Sequence, residues 1–125
     1  MNKKEFKEDL LELLNSPIDN VSCFDEKIKL IDDIILEYQK QNEIERNIEN
    51  KGKEWKNQEL KIILMDSPTK YNCMKYARLF NRGYGSIEQI YRWAATTDKE
   101  INESRKNNKF IKQIKEVAKE IGLVV

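Results

Sequence analysis

The stretch Cys73-Met-Lys-Tyr-Ala-Arg-Leu-Phe-Asn-Arg-Gly-Tyr-Gly-Ser-Ile-Glu-Gln-Ile-Tyr-Arg92 decides the fold. Tyr76, Ala77 and Phe80 give one helix an apolar stripe, Gly83 and Gly85 interrupt it, and Ile87 and Ile90 give a second helix its own inward face. Two short helices set at an angle by a turn are the expectation. Ala77 is small enough for them to cross closely, and Glu88, Gln89 and Arg92 are left pointing outward.

Upstream, Phe6, Leu10, Leu13 and Leu14 share one helical face, and Asn15-Ser16-Pro17 stops that helix because proline disfavours the helical conformation in the residue before it. Ser22 and Asp25 mark the start of a second helix that runs without Gly or Pro from Cys23 to about Asn50. Within it Phe24, Ile28, Ile31, Ile35 and Tyr38 follow the alternating four-and-three spacing of a coiled-coil seam. Periodicity alone does not choose between burying this seam inside one molecule and pairing it with a second copy. Gly52, in a polar setting, is the expected joint. Trp55, Leu60, Ile63 and Leu64 then give a third helix, ended by Asp66-Ser67-Pro68, with Ser67 and Pro68 opening the next.

Ser86 and Gln89 have capping-box spacing for a helix that reaches about Ala95. After the polar patch Asn102 to Asn108, a last amphipathic helix carries Phe110, Ile111, Ile114, Val117, Ala118 and Ile121, and Gly122 closes it. The expected fold is therefore all-α. Residues 1–50 form an acidic helical hairpin for packing or dimerisation, residues 53–97 form the central unit, and residues 98–125 form a C-terminal helix packing on the first region.

Composition agrees. The chain has 125 residues, four Gly, two Pro and a 36% charged fraction, so a helical domain with a modest core is expected. No apolar run approaches the ~20 residues that cross a bilayer, and the N-terminus lacks a signal-type apolar core, which predicts a cytoplasmic protein without membrane attachment. There is no histidine, and Cys23 and Cys73 stand alone. No metal, cofactor or disulfide is anticipated. Without a phosphate-binding glycine loop or a nucleophile motif, an enzyme is not expected either. Charge is uneven: residues 1–50 have a net charge of −6, residues 51–93 of +5 and residues 94–125 of +2. The basic segment suits a polyanion, whereas the acidic half would repel phosphate and favour a protein partner.

Trp55 to Trp93 resembles the tri-helical helix-turn-helix of the homeodomain-like group, including its Myb/SANT-like repeats. The resemblance rests on Trp55, Leu60 and Leu64, on Ala77-Arg-Leu-Phe-Asn-Arg82, and on Ile87, Ile90 and Trp93. Ala77, Asn81, Ile87 and Ile90 also stand at the offsets of the general helix-turn-helix pattern, with Asn81 at a turn position that glycine usually takes. Asparagine enters the left-handed region more readily than most residues. The resemblance implies double-stranded DNA as the partner, in a small bacterial or phage regulator. It makes Gln89, Arg92 and Ser86 the candidate base contacts, and Lys70, Lys75, Arg78, Arg82 and Tyr84 the phosphate contacts. A homodimer would join through Phe24, Ile28, Ile31, Ile35 and Tyr38. The alternative is a protein-interaction module, an adaptor or inhibitor, in which this fold is only scaffold; Glu88 on the outward face favours it.

Overall fold

The computed structural model describes residues 1–97, 99–101 and 108–123. Among these the fold is all-α: α1 (Lys3–Leu14), α2 (Phe24–Gln41), a 3-10 turn (Glu43–Glu45), α3 (Asn57–Leu64), α4 (Lys70–Leu79), α5 (Tyr84–Ala95) and α6 (Lys109–Glu120). Most of the polar patch after Ile101, residues 102–107, lies outside the described residues. The chain divides into two compact units, Met1–Ile35 and Leu36–Val125. This boundary falls well upstream of the joint expected at Gly52.

In the first unit α1 starts at Asn2, whose side chain accepts from the Glu5 N–H at 2.8 Å, and stops where expected, before Pro17. The N–H and hydroxyl of Ser22 bond the Glu26 carboxylate, so Glu26 rather than Asp25 closes the start of α2. α1 and α2 do not pack along one another, and neither buries a residue. The expected hairpin core is absent because no apolar face of one helix is laid on the other.

In the second unit a single core gathers Trp55, Leu60, Ile63 and Leu64 with Met74, Tyr76 and Ala77, Ile87 and Ile90, and Ile114, Val117 and Ala118. α4 packs on α5, and α6 packs on both α3 and α5. The C-terminal helix thus completes this core. Its stripe of Ile111, Ile114, Val117 and Ala118 is buried. Gly122, at φ +88°, ends it, with the Leu123 N–H returning to the Ala118 carbonyl.

α2 ends at Gln41, nine residues before Asn50, and the chain from Glu43 onward becomes a strap across the α4–α5 turn. Phe80 ends α4, Asn81 adopts φ +54°, and the Arg82 N–H reaches back to the Ala77 carbonyl at 2.9 Å. That is a Schellman closure, in which a left-handed residue lets the chain satisfy a helix-end carbonyl. The strap adds donors to carbonyls around this turn. Arg46 Nη1 donates to the Ala77 and Arg82 oxygens at 3.2 and 2.9 Å, Asn50 Nδ2 donates to the Phe80 oxygen at 2.9 Å, and the Asn50 N–H donates to the Asn81 oxygen at 3.1 Å. Glu43, ion-paired to Arg46 at 3.1 Å, accepts from the Tyr84 N–H at 2.6 Å and so caps α5 with a negative charge. α5 therefore opens at Tyr84, and Ser86 sits inside its first turn rather than serving as the cap. A Cβ at Gly83 would stand 3.2 Å from Glu43 Oε2, so the capping carboxylate would have to give by a few tenths of an ångström.

The α3–α4 corner is held by Asp66. Its carboxylate accepts from the Ser67 N–H at 2.9 Å, from Asn72 Nδ2 at 3.1 Å and from the Tyr76 hydroxyl, with Lys75 at 3.5 Å. Thr69, not Ser67, caps α4, accepting from the Asn72 N–H at 3.1 Å.

Glu43→Ala should destabilise the protein by about 1–2 kcal/mol in denaturant titration, the usual cost of a lost N-terminal cap. Gly83→Ala should cost more in the natural protein than in the Glu43→Ala background, because the Cβ presses on the carboxylate that caps α5; equal costs in both would show that the two do not couple. At Asp66, the hydrogen bond from Tyr76, then that from Ser67 and the nearby Lys75, hold the carboxyl below its ordinary 3.8. A lowered folded pKa means that this corner stabilises fully above the ordinary value and loses its contribution as pH falls through the folded one. Thermal melts between pH 7 and 2 should accordingly show a smaller acid-induced drop for Asp66→Asn.

Candidate nucleic-acid interface

α5 carries the outward residues that the sequence singled out. Tyr84, Ile87, Ile90 and Ala94 are buried along one side of this helix, so the opposite side presents Gly85, Glu88, Gln89 and Arg92, all exposed. No ion pair joins Glu88 to Arg92. Lys70 and Arg92 line one open groove of about 290 Å³, together with Pro68, Cys73, Glu88 and Tyr91. Arg78 is exposed on α4. Lys75 is exposed as well, but it is engaged with Asp66 at 3.5 Å and lies 5.0 Å from the Tyr76 ring centroid.

Two of the residues expected as phosphate contacts, Arg82 and Tyr84, are buried instead. Arg82 is only 4% exposed. Its guanidinium donates to the Lys53 and Glu54 carbonyls and lies 4.0 Å over the Trp55 ring. Burial pulls its pKa down, yet an arginine stays charged under these conditions. Because Arg82 follows the left-handed Asn81, its side chain is turned into the core edge and cannot reach a phosphate. Tyr84 is equally buried, with the Lys40 ammonium 4.4 Å from its ring centroid. Burial, then the neighbouring Cys73 and Glu88, push its hydroxyl up to about 12, so it remains protonated. The reason is register: with Glu43 as the cap, α5 starts two residues before Ser86, and Tyr84 falls on the inward face with Ile87.

Ser86 is half-buried and lines a second depression of about 590 Å³ at the start of α5, where Lys53 and Lys109 also stand. Neither lysine was singled out from the sequence. They are far apart along the chain and meet only because α6 packs on α5, so no local pattern announces them. Phe24, Ile28, Ile35 and Tyr38 of the expected seam are exposed and Ile31 is half-buried. Trp55 is a buried core residue, and Trp93 packs half-buried against the same core.

Among the described residues no cluster of carboxylates and thiols has the arrangement of a metal site, and no helix is long and apolar enough to cross a membrane. Cys23 is exposed and Cys73 buried, both as thiols. No solved structure matches the chain significantly. Residues 49–124 match the family model described as "Uncharacterised protein PM1205 C-terminal domain". The protein "Uncharacterized protein PM1205" of Pasteurella multocida (strain Pm70) is 45% identical over 124 residues, spanning 98% of both chains. This chain belongs to the PM1205 C-terminal domain family.

Proposed function

We propose that the protein binds double-stranded DNA by laying α5 in the major groove, as a small bacterial or phage regulator acting in the cytoplasm. The observation that carries this reading is the register of α4 and α5. Ala77 is fully buried at the crossing, Asn81 is left-handed in the turn, and Ile87 and Ile90 are fully buried under α5. These are the offsets at which a helix-turn-helix needs a small residue, a permissive turn and two aliphatics. The same register turns Gln89 and Arg92 outward, side chains suited to adenine and guanine edges. Lys70 on one flank, and Lys53 and Lys109 beside Ser86 at the start of α5, are cations of the kind that fix a recognition helix on the two phosphate strands. Arg78 belongs to the same phosphate set. The role is one of binding, without catalysis or cofactor.

A second reading, a protein-interaction module, draws on Glu88. An acid beside the proposed readers repels phosphate unless it accepts from a cytosine. In that reading α5 meets a protein surface and the helix-turn-helix is scaffold.

The decisive measurement is duplex binding across salt. Affinity should fall steeply as salt rises, since each phosphate contact releases counterions. Failure to retain any duplex at low salt favours the protein-binding reading. Arg92→Ala should cost roughly 1–3 kcal/mol on a preferred duplex and much less on random DNA. Gln89→Ala should behave the same way and, since Ser86 is not a cap, should leave helix stability unchanged. Lys70→Ala should weaken both duplexes alike, and more than Lys75→Ala, whose ammonium is already held by Asp66. Equal losses on both duplexes for Arg92→Ala would remove base reading from α5.

A further inference from the structure

We infer that the depression of about 590 Å³ beside the first turn of α5 binds a phosphate monoester of mononucleotide size. It lies wholly within the unit Leu36–Val125, and the inference holds whether or not α5 enters DNA. Three lengths of chain wall it: residues 52–55 leading into α3, Ser86 in the first turn of α5, and Lys109, Phe110 and Gln113 at the start of α6.

Charge selects an anion. The ammonium groups of Lys53 and Lys109 and the Ser86 hydroxyl have no hydrogen-bond or ion-pair partner among the described residues. Arg82 lines the same depression. It is 4% exposed and has no carboxylate within ion-pair distance; Glu59 acts on it from farther off. A buried cation without a close counter-ion is costly, and an anion placed beside it offsets part of that cost. Against these three cations the lining has one acid, Glu54. The backbone oxygens that would repel an anion are already engaged: those of Lys53 and Glu54 accept from the Arg82 guanidinium, and that of Trp55 accepts from Gln113 Nε2 at 2.8 Å. The positive end of α6 adds to the field. Glu43 answers the corresponding end of α5 with a charge, whereas the neutral Asn108 side chain caps α6 and leaves its dipole uncompensated. A doubly charged phosphate monoester matches two free lysines, where a carboxylate would answer only one.

Size and lining select the organic part. A bare phosphate would leave most of the depression empty, and its volume falls in the range of roughly 300–1,000 Å³ that small-ligand sites occupy. Half-buried Phe110 supplies an apolar wall against which a planar ring can lie. Both amide hydrogens of Gln113 are committed, to the Trp55 carbonyl and to Asn57 Oδ1 at 2.8 Å each, so its oxygen is the atom left for a ligand N–H or O–H. The same two bonds tie α6 to the start of α3. The facing walls are therefore fixed before a ligand arrives, which lowers the cost of binding.

The test is titration calorimetry of the full chain at low salt, with adenosine and uridine 5′-monophosphates, adenosine and inorganic phosphate as probes. At least one nucleotide should bind with a Kd below about 1 mM, and about tenfold or more tighter than adenosine or inorganic phosphate. Lys53→Ala with Lys109→Ala, both at exposed positions, should weaken it about tenfold or more. Lys51→Ala with Lys119→Ala removes the same charge from exposed residues outside the lining and should change affinity less than about twofold. Gln89→Ala with Arg92→Ala, which removes the proposed base contacts, should leave nucleotide binding intact, so that failure of the DNA reading and failure of this one are told apart. Circular dichroism checks that each variant is folded. No nucleotide binding up to about 10 mM, or equal weakening by the two lysine pairs, would overturn the proposal. So would a duplex held through Lys53 and Lys109 by a protein that takes up no nucleotide, which would assign both lysines to the DNA backbone alone.

Discussion

Everything that α5 presents depends on how the α4–α5 turn is closed. Asn81 occupies the left-handed region, and the carbonyls that this conformation exposes are satisfied by Arg46 and Asn50, some 30 residues upstream. Without these donors, carbonyls at the end of α4 would be left partly buried and unpaired, at a cost of about 1–3 kcal/mol each. The strap also brings Glu43 to the first N–H of α5, which sets the residue at which that helix begins. Shifting the start by two residues would rotate α5 and change which side chains face outward. The turn, the strap and the exposed row Glu88, Gln89 and Arg92 are thus one mechanical unit.

The same closure divides the basic residues between structure and surface. Arg82 is bound to two carbonyls and stacked on Trp55, and its Nε remains buried without a hydrogen-bond partner. A cation over a desolvated indole face gains about 2 kcal/mol, which offsets part of that deficit. Lys61 is held by Glu120 at 2.7 Å and Lys75 by Asp66. The positive charge of residues 51–93 is therefore not all available to a ligand: some of it ties α3 to α6 and braces the α3–α4 corner. Lys51, Lys53, Lys56, Lys70, Arg78 and Arg92 are exposed to solvent, as is Lys75 beside Asp66.

The two units obey opposite rules of burial. In Leu36–Val125, four helices share one core, and Leu60, Ile63, Ile87, Ile90 and Ile114 are fully buried. In Met1–Ile35, helices of comparable apolar content bury nothing. The difference is not in residue type but in whether another helix of the same unit covers the stripe.

The sequence alone determined a good deal. Helix spacing, Pro17, Pro68 and Gly122 marked where helices end, because each acts through local backbone geometry. The pattern Ala77, Asn81, Ile87 and Ile90 placed the turn and the inward face of α5 correctly, since these positions are separated by only a few residues. Only the tertiary structure decided the rest. That Glu43 and not Ser86 caps α5, that Arg82 and Tyr84 are buried, that the helix expected to reach Asn50 stops at Gln41, and that α6 joins the core of α3 and α5 all depend on contacts between distant segments. Hydrogen-bond partners and burial are set by which surfaces meet in space, and a periodicity read along one helix carries no information about the surface opposite it.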